Sequence, residues 1–270
     1  MHRSLTILPL LGLLAGPVFA DARGTVLMDV MRLQEAAQIL RAEGLEHAQG
    51  LNEDMLAGQG GDGWKVQVNA IYDPARMVET VRSSIEAQFV DISMEDAISF
   101  YTGDLGSEIV SLENSARAAI SDETIEAVAR AQYEEIAGTD DPRLALIETL
   151  ITEGGMIDRN VTSAMNSNYQ FMRGLSEGGA MEMTQDEMLA DVAAQQEEIT
   201  EDTTGWLYGY MLMAYSPLTD AELQAYIDFS RTQAGQAINR GLFEGFGAAY
   251  AEISYGLGRA LSLNMTAQEL

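Results

Sequence analysis

Apolar residues recur along most of this chain at intervals of three and four, the spacing that places side chains on one face of an α-helix. The stretch 25–43 carries apolar residues at Val26, Val30, Leu33, Ala37 and Leu40. The stretch 77–89 repeats the pattern with Met77, Val81, Ile85 and Phe89. Residues 64–71 fit both strand alternation and helical spacing, but a lone strand would have no pairing partner, which favours helix. The chain is therefore predicted to be all-α.

Short polar motifs mark where several of these helices begin. The side chain of an Asp that precedes Pro accepts a hydrogen bond from a free amide of the first turn, and the Pro itself has no amide that would need a partner. A Thr followed three residues later by Glu forms a capping box, in which each side chain bonds to the backbone amide of the other residue. The four motifs are Asp73–Pro74, Asp141–Pro142, Thr184 with Glu187, and Thr219 with Glu222. Ser121 is expected to cap a further helix, and Gly44 to end the first one. The glycine-rich stretch 58–63 predicts a loop.

Two stretches of the chain, residues 100–109 and 229–238, resemble each other. Phe, Gly and Ile recur in them at the same internal spacing, as Phe100, Gly106 and Ile109 and as Phe229, Gly235 and Ile238. An internal repeat of this kind sets the architecture of a protein. We therefore predict a multi-helix array of two degenerate tandem repeats, residues 21–138 and 139–270, with the second packed on the first.

The repeated stretch has the properties of a turn between two helices. The aromatic residue ends one helix and packs inward, and the glycine at Gly106 or Gly235 lets two backbones approach closely. A polar side chain can cap the next helix, either Thr102 or Asp104 in the first copy and Thr232 in the second.

This motif resembles that of the family called domain of unknown function 2059, whose usual motif is Phe-Tyr-x-Ser-Pro-x-Gly. Phe100, Tyr101 and Gly106 match it in the first copy, and Phe229 and Gly235 in the second. Residues other than Ser-Pro stand between the aromatic residue and the glycine in both copies. The resemblance implies an exported, helical bacterial protein and implies no activity.

Residues 1–20 have the composition of a secretory signal peptide. A basic start at His2 and Arg3 precedes an apolar run, and small residues end the segment at Ala20. The run is too short to cross a bilayer. We predict cleavage after Ala20 and a periplasmic location, with no transmembrane segment in the mature chain.

Composition narrows the choice of partners. The chain has 42 acidic and 15 basic residues, a formal net charge of −27, and no cysteine. Such a charge excludes nucleic acid, whose phosphates need a basic surface. It indicates either a cationic partner or simply a soluble, salt-tolerant surface. Without cysteine, stability depends on packing instead of disulfides.

The chain offers few signs of catalysis. His47 is the only histidine beyond residue 20, no nucleophile motif accompanies it, and a two- or three-histidine zinc site is impossible. Adjacent acidic residues such as Glu134 and Glu135 are frequent in so acidic a chain and usually lie on a solvated face. We therefore assign no catalytic residue, metal or cofactor. The sequence favours a binding protein over an enzyme.

Aromatic and methionine side chains crowd residues 205–215, and this segment is the strongest candidate for binding. We call four of its residues the predicted binding segment: Trp206, Tyr210, Met211 and Met213. There are two interpretations. These side chains form an adaptable groove for a protein or an apolar ligand, or they fill the core. Gly241 and Gly245 permit close helix contact within the chain or across a homodimer.

Taken together, these features predict an exported, non-enzymatic binding or protein-interaction module. The alternative is a hydrolase that acts on cell-envelope material through Asp or Glu carboxylates. An enzyme requires a cleft where polar groups with shifted pKa values converge, whereas a binding module requires an apolar groove or patch.

Overall fold

A computed structural model describes residues 17–268 of the chain, and side chains within residues 22–266. These residues form an all-α protein without β-strands, which confirms the predicted class. The helices are α1 (Pro17–Val30), α2 (Leu33–Met55), α3 (Gly61–Ile71), α4 (Pro74–Gln88), α5 (Glu95–Thr102), α6 (Asp104–Ile120), α7 (Glu123–Ile136), α8 (Pro142–Gly154), α9 (Met156–Gly178), α10 (Gln185–Ala194), α11 (Gln196–Ala214), α12 (Asp220–Ser230) and α13 (Gln233–Gln268). Residues 1–16 of the predicted signal peptide lie outside the described residues.

The four predicted helix starts are confirmed in atomic detail. The side chain of Asp73 accepts a hydrogen bond of 2.9 Å from the amide of Ala75, and Asp141 accepts one of 2.9 Å from Leu144. Both Thr–Glu capping boxes form, with the side chain of each residue accepting from the backbone amide of the other. Residues 64–71 lie in α3, so helix was the correct choice for the ambiguous stretch.

Several local predictions were wrong. The glycine-rich stretch 58–63 is a loop only as far as Gly60, because α3 begins at Gly61. The expected helix over 25–43 is interrupted at Arg32, whose φ of 49° is left-handed, and α2 then continues past Gly44 to Met55. Gly44 lies inside α2 and does not end it. The absence of a side chain at Gly44 instead leaves room for the ring of Tyr72. The cap of α7 is Asp122, which accepts from two amides of the first turn, and not Ser121.

The core is built around α13, a helix of 36 residues that packs against both α4 and α9. Added Cβ atoms on Gly241 and Gly245 would lie 2.6 Å from the Cα atoms of Ile85 and Val81 in α4. These two glycines are therefore packed within the chain, and the prediction that they could join two copies is not supported. None of the helices within residues 17–268 combines the length and the apolar character needed to span a membrane.

The two resembling turns meet at the centre of the molecule. The rings of Phe100 and Phe229 stack with centroids 3.7 Å apart and planes 2° from parallel. Gly106 lies against the carbonyl of Phe100, and Gly235 lies in the same way against the carbonyl of Phe229. The close backbone approach expected of both glycines is therefore present.

Capping differs between the two turns. In the second turn the Thr232 hydroxyl accepts a 3.0 Å hydrogen bond from the amide of Gly235, as predicted. In the first turn the N-cap of α6 is Gly103, which has no side chain to offer. The Thr102 hydroxyl instead donates to the carbonyl of Ile98 at 2.7 Å, and Asp104 is already inside the helix. The predicted cap by Thr102 or Asp104 was wrong.

Candidate functional site

A cavity of about 700 Å³ opens beside the stacked phenylalanines. Its walls come from both parts of the chain, most of all from α13, with further residues from α2, α5, α6, α8, α9, α11 and α12. Only three lining residues are exposed, namely Glu153, Arg231 and Gln236. The Glu153 carboxylate and the Arg231 guanidinium pair there at 2.7 Å, so this ion pair lies where the cavity meets solvent.

A single carboxyl group, that of Glu113, projects from α6 into the polar end of the cavity. Its Oε1 accepts a hydrogen bond of 2.6 Å from the Tyr215 hydroxyl and one of 3.2 Å from the Tyr226 hydroxyl. The Tyr210 hydroxyl donates to the backbone carbonyl of the same residue at 3.1 Å. Burial raises the pKa of Glu113, and the two tyrosine hydrogen bonds oppose only part of this effect.

The three tyrosines act as fixed hydrogen-bond donors. Burial raises the pKa of Tyr210, Tyr215 and Tyr226, and the nearby Glu113 raises each further. Their hydroxyls therefore keep their protons at neutral pH. A carboxyl group surrounded by neutral donors is oriented by them but receives no opposite charge.

The helix that carries Glu113 explains its position. Gly106, Val110, Glu113 and Arg117 follow one another at intervals of three and four, so they share one face of α6. The first two are buried, and the last two continue the same stripe into the cavity. In the sequence, Glu113 and Arg117 therefore stand at positions of α6 where the helical spacing predicts apolar residues. This was the signal that the sequence analysis overlooked.

Arg117 is the second charged group on this face, and α2 neutralises it. Its guanidinium makes a double hydrogen bond to Glu43, from Nε to Oε1 at 2.8 Å and from NH2 to Oε2 at 2.5 Å. Its Cζ also lies 5.0 Å from the ring centroid of Trp206, a cation–π contact. Burial lowers the pKa of Arg117, but the hydrogen bonds that it donates to Glu43 and its electrostatic interactions with Tyr250, Glu43 and Tyr210 together raise the pKa overall.

Asn114, next to Glu113, lines the cavity with a donor that has no partner. Its side chain is 8% exposed, and among the described residues none accepts a hydrogen bond from its Nδ2. Burying an amide without a hydrogen bond is unfavourable, which makes such groups uncommon in folded proteins. Because this Nδ2 is itself buried, a bound molecule reaches it only if the Asn114 side chain turns toward the cavity.

The predicted binding segment is split between the cavity and the core. Trp206, Tyr210 and Met211 line the cavity, and the rings of Trp206 and Tyr210 stack with centroids 5.0 Å apart. Met213 is outside the lining and packs, partly buried, against a core cluster that contains Met211. The motif residues Tyr101, Phe229 and Gly235 also line the cavity, whereas Phe100 and Gly106 support it from behind.

The other residues considered for chemistry are not in the cavity. His47 is exposed on α2, and Glu134 and Glu135 are exposed on α7. Within residues 17–268 no three His, Cys, Asp or Glu side chains are grouped as metal ligands would be. The cavity residues Glu113, Asn114 and Arg117, and Glu43 behind them, were not singled out by sequence reasoning.

Over the described residues, fold and site together define an all-helical protein with an aromatic cavity that holds the carboxyl group of Glu113, with the Glu153–Arg231 ion pair at its rim. The arrangement can accommodate a small molecule with an apolar body and a polar end. No protein-family model matches the chain, and no curated protein or solved structure matches it.

Proposed function

We propose that this protein is an exported, periplasmic binding protein that holds a small molecule in its central cavity and catalyses no reaction. The observation that carries the proposal is the cavity of about 700 Å³, which is lined by aromatic side chains and by the Glu113 carboxyl group. Cavities of roughly 300 to 1,000 Å³ with apolar walls and a few polar groups are typical of small-molecule sites.

The lining supports an amphiphilic ligand. Trp206, Phe243 and Phe246 offer apolar and aromatic surface, while Asn114 and Glu113 offer a donor and an acceptor. Most lining residues are buried or half-buried, so a ligand would lose most of its contact with water on entry. This combination favours a molecule over a partner helix, which would need an exposed apolar face.

The hydrolase alternative is less well supported by the lining. Hydrolysis of a glycosidic bond by carboxylates usually needs two carboxyl groups, one on either side of the scissile bond. The described lining contains two, Glu113 and Glu153, and Glu153 is engaged by Arg231 in an ion pair at the cavity rim. That pairing holds the pKa of Glu153 below its usual range.

We further propose that the two halves arose by duplication and belong with the domain of unknown function 2059 family. Helices α2 to α5 contain 23, 11, 15 and 8 residues, and α9 to α12 contain 23, 10, 19 and 11. In this correspondence α6 matches α13 and α4 matches α11. The packing of α6 on α11 then has its counterpart in the packing of α13 on α4. The matching geometry of Gly106 and Gly235 supports the same relationship.

The binding proposal can be tested with the full chain expressed in a bacterial host. The exported product should begin at Asp21, which N-terminal sequencing would show. It should bind the fluorescent probe 1-N-phenylnaphthylamine saturably at one site. In a Trp64→Phe variant, Trp206 is the sole tryptophan, because the chain has two. Its emission should change in step with the probe signal.

Two results would contradict the proposal. One is the absence of saturable probe binding by a folded protein. The other is binding that leaves Trp206 emission unchanged in the Trp64→Phe variant, since the probe would then lie elsewhere. Trp64 belongs to a separate core cluster and donates to the carbonyl of Ala48, so its replacement leaves the cavity wall intact.

A further inference from the structure

The charges that line the cavity do not balance, and the imbalance is local to Glu113. The charged lining residues among those described are Glu113, Arg117, Glu153 and Arg231. Arg117 is neutralised by Glu43, and Glu153 is neutralised by Arg231. Glu113 alone lacks an ionic partner, because its carboxyl group meets only tyrosine hydroxyls.

The geometry at Glu113 leaves one carboxyl oxygen for a ligand. Both tyrosine hydroxyls donate to Oε1, and no hydrogen bond to Oε2 is formed by the described residues. Tyr215 and Tyr226 come from different segments, one after α11 and one within α12. The carboxyl group is therefore held from two sides with Oε2 still available.

Aromatic rings surround the same end of the cavity. Tyr215 and Tyr226 contact each other edge to face with centroids 5.8 Å apart, and Phe229 and Tyr210 line the neighbouring wall. The faces of aromatic rings carry partial negative charge and attract cations, most strongly where water is excluded. A carboxylate among aromatic rings is a combination suited to an ammonium group.

Arg117 argues against an anionic ligand. Its guanidinium is already occupied by the double hydrogen bond to Glu43 and by the ring of Trp206. An anion would also meet Glu113 and the field of a chain with a net charge of −27. The same field raises the local concentration of cations.

We propose that the ligand is an organic cation, with an ammonium group beside Glu113 and an apolar body along Trp206 and Phe246. This inference rests on the proposed function, because it names the class of molecule that the cavity binds. The ammonium supplies the counter-charge that Glu113 lacks, and the aromatic rings contact its remaining surface.

A matched pair of probes tests the charge alone. 4-Phenylbutylamine and 4-phenylbutan-1-ol have nearly the same shape, and only the amine is positively charged at neutral pH. Each would be titrated against bound 1-N-phenylnaphthylamine. We expect the amine to displace the probe at a concentration about tenfold lower than the alcohol.

Two substitutions locate the effect. Glu113→Gln keeps the acceptor for Tyr215 but removes the charge, so the preference for the amine should fall to within about twofold of the alcohol. Glu134→Gln removes one charge from the exposed face of α7 and should leave the preference unchanged. This control separates a local ion pair from the overall field of the protein.

Lower pH provides a second test that needs no variant. Protonation of Glu113 should weaken amine binding and leave alcohol binding unchanged. The groups that face Glu113 from other helices are the hydroxyls of Tyr101, Tyr210, Tyr215 and Tyr226, which stay protonated at neutral and acidic pH. Arg117, on its own helix, stays charged.

The possible outcomes separate the two proposals. If the fluorescent probe binds in the cavity but amine and alcohol compete equally, or if Glu113→Gln folds and keeps the preference, the cation assignment is wrong and the binding function stands. If Glu113→Gln does not fold, the pH test on the wild-type protein decides. The cation assignment is wrong if the amine is still preferred over the alcohol at a pH that protonates Glu113. If no probe binds the folded protein, both proposals fail.

Discussion

Two contact regions of this protein use opposite means to pack helices. At the glycine seam, defined as Gly241 and Gly245 against α4 and Gly258 with Gly174 between α13 and α9, backbones touch directly. At the cavity, large side chains of α6, α11, α12 and α13 line a space of about 700 Å³. Small residues close one region, and large polar and aromatic residues keep the other open.

The difference shows how one fold can separate stability from binding. Close backbone packing at the seam excludes water and gains dispersion contacts along much of α13. At the cavity, ordered hydrogen bonds among Glu113, Tyr215 and Tyr226 hold the walls without filling the space. Substitutions at the seam should therefore change stability most, and substitutions at the cavity should change binding most.

The largest loss of stability is expected from Gly258→Ala. A Cβ at this position would overlap the backbone of Phe171 and lie 3.0 Å from the amide of Leu175. Because the obstacle is backbone, α9 and α13 must separate, and we expect a loss of about 3 kcal/mol in the free energy of unfolding. Urea denaturation would measure it.

Gly50→Ala is the matched control for the seam. An added Cβ at Gly50 meets nothing within 4 Å, and the residue lies inside α2. Alanine should stabilise the helix there by up to about 1 kcal/mol. Equal losses in the two variants would show that close packing at Gly258 contributes nothing special.

A smaller loss is expected when Arg117 is deprived of its partner. In Glu43→Gln the guanidinium, which is one-third exposed, loses its counter-charge and keeps only part of its hydrogen bonding. We expect the free energy of unfolding to fall by about 1 to 2 kcal/mol. Glu46→Gln, on the exposed side of α2, should change it by less than about 0.5 kcal/mol.

Trp206→Leu should affect binding far more than stability. The ring is only partly buried, and its main contacts are the stack on Tyr210 and the cation–π contact with Arg117. Their loss should lower the free energy of unfolding by about 1 kcal/mol. Probe affinity, measured by 1-N-phenylnaphthylamine fluorescence, should fall by about tenfold. Unchanged affinity would mean that Trp206 is not part of the binding wall.

The smallest effect, expected at Glu113, depends on pH. Because burial raises the pKa of this carboxyl group, the folded protein retains a proton that the unfolded chain has already lost. As pH rises from the ordinary glutamate pKa through the raised value, wild-type stability should therefore fall relative to Glu113→Gln. Parallel urea titrations across this range would show it. A constant difference between the two proteins would contradict the shift.

The sequence was informative wherever a structural feature depends on neighbouring residues. Asp73–Pro74 and the Thr184–Glu187 box specify their helix starts because each cap bonds to an amide within the next three residues. Gly44 misled because a glycine that ends a helix and one that admits a neighbouring ring look the same in sequence. Only the position of Tyr72, which lies in the turn between α3 and α4, distinguishes them.

The sequence alone determined the all-helical class, several of the helix starts and the aromatic segment around Trp206. The tertiary structure decided that Tyr215 and Tyr226 converge on Glu113, that Glu43 neutralises Arg117, and that Asn114 remains unpartnered. Helix periodicity depends on contacts three and four residues apart, and it is therefore visible in a single chain. The cavity joins residues that are about a hundred positions apart, and their meeting depends on how the helices pack.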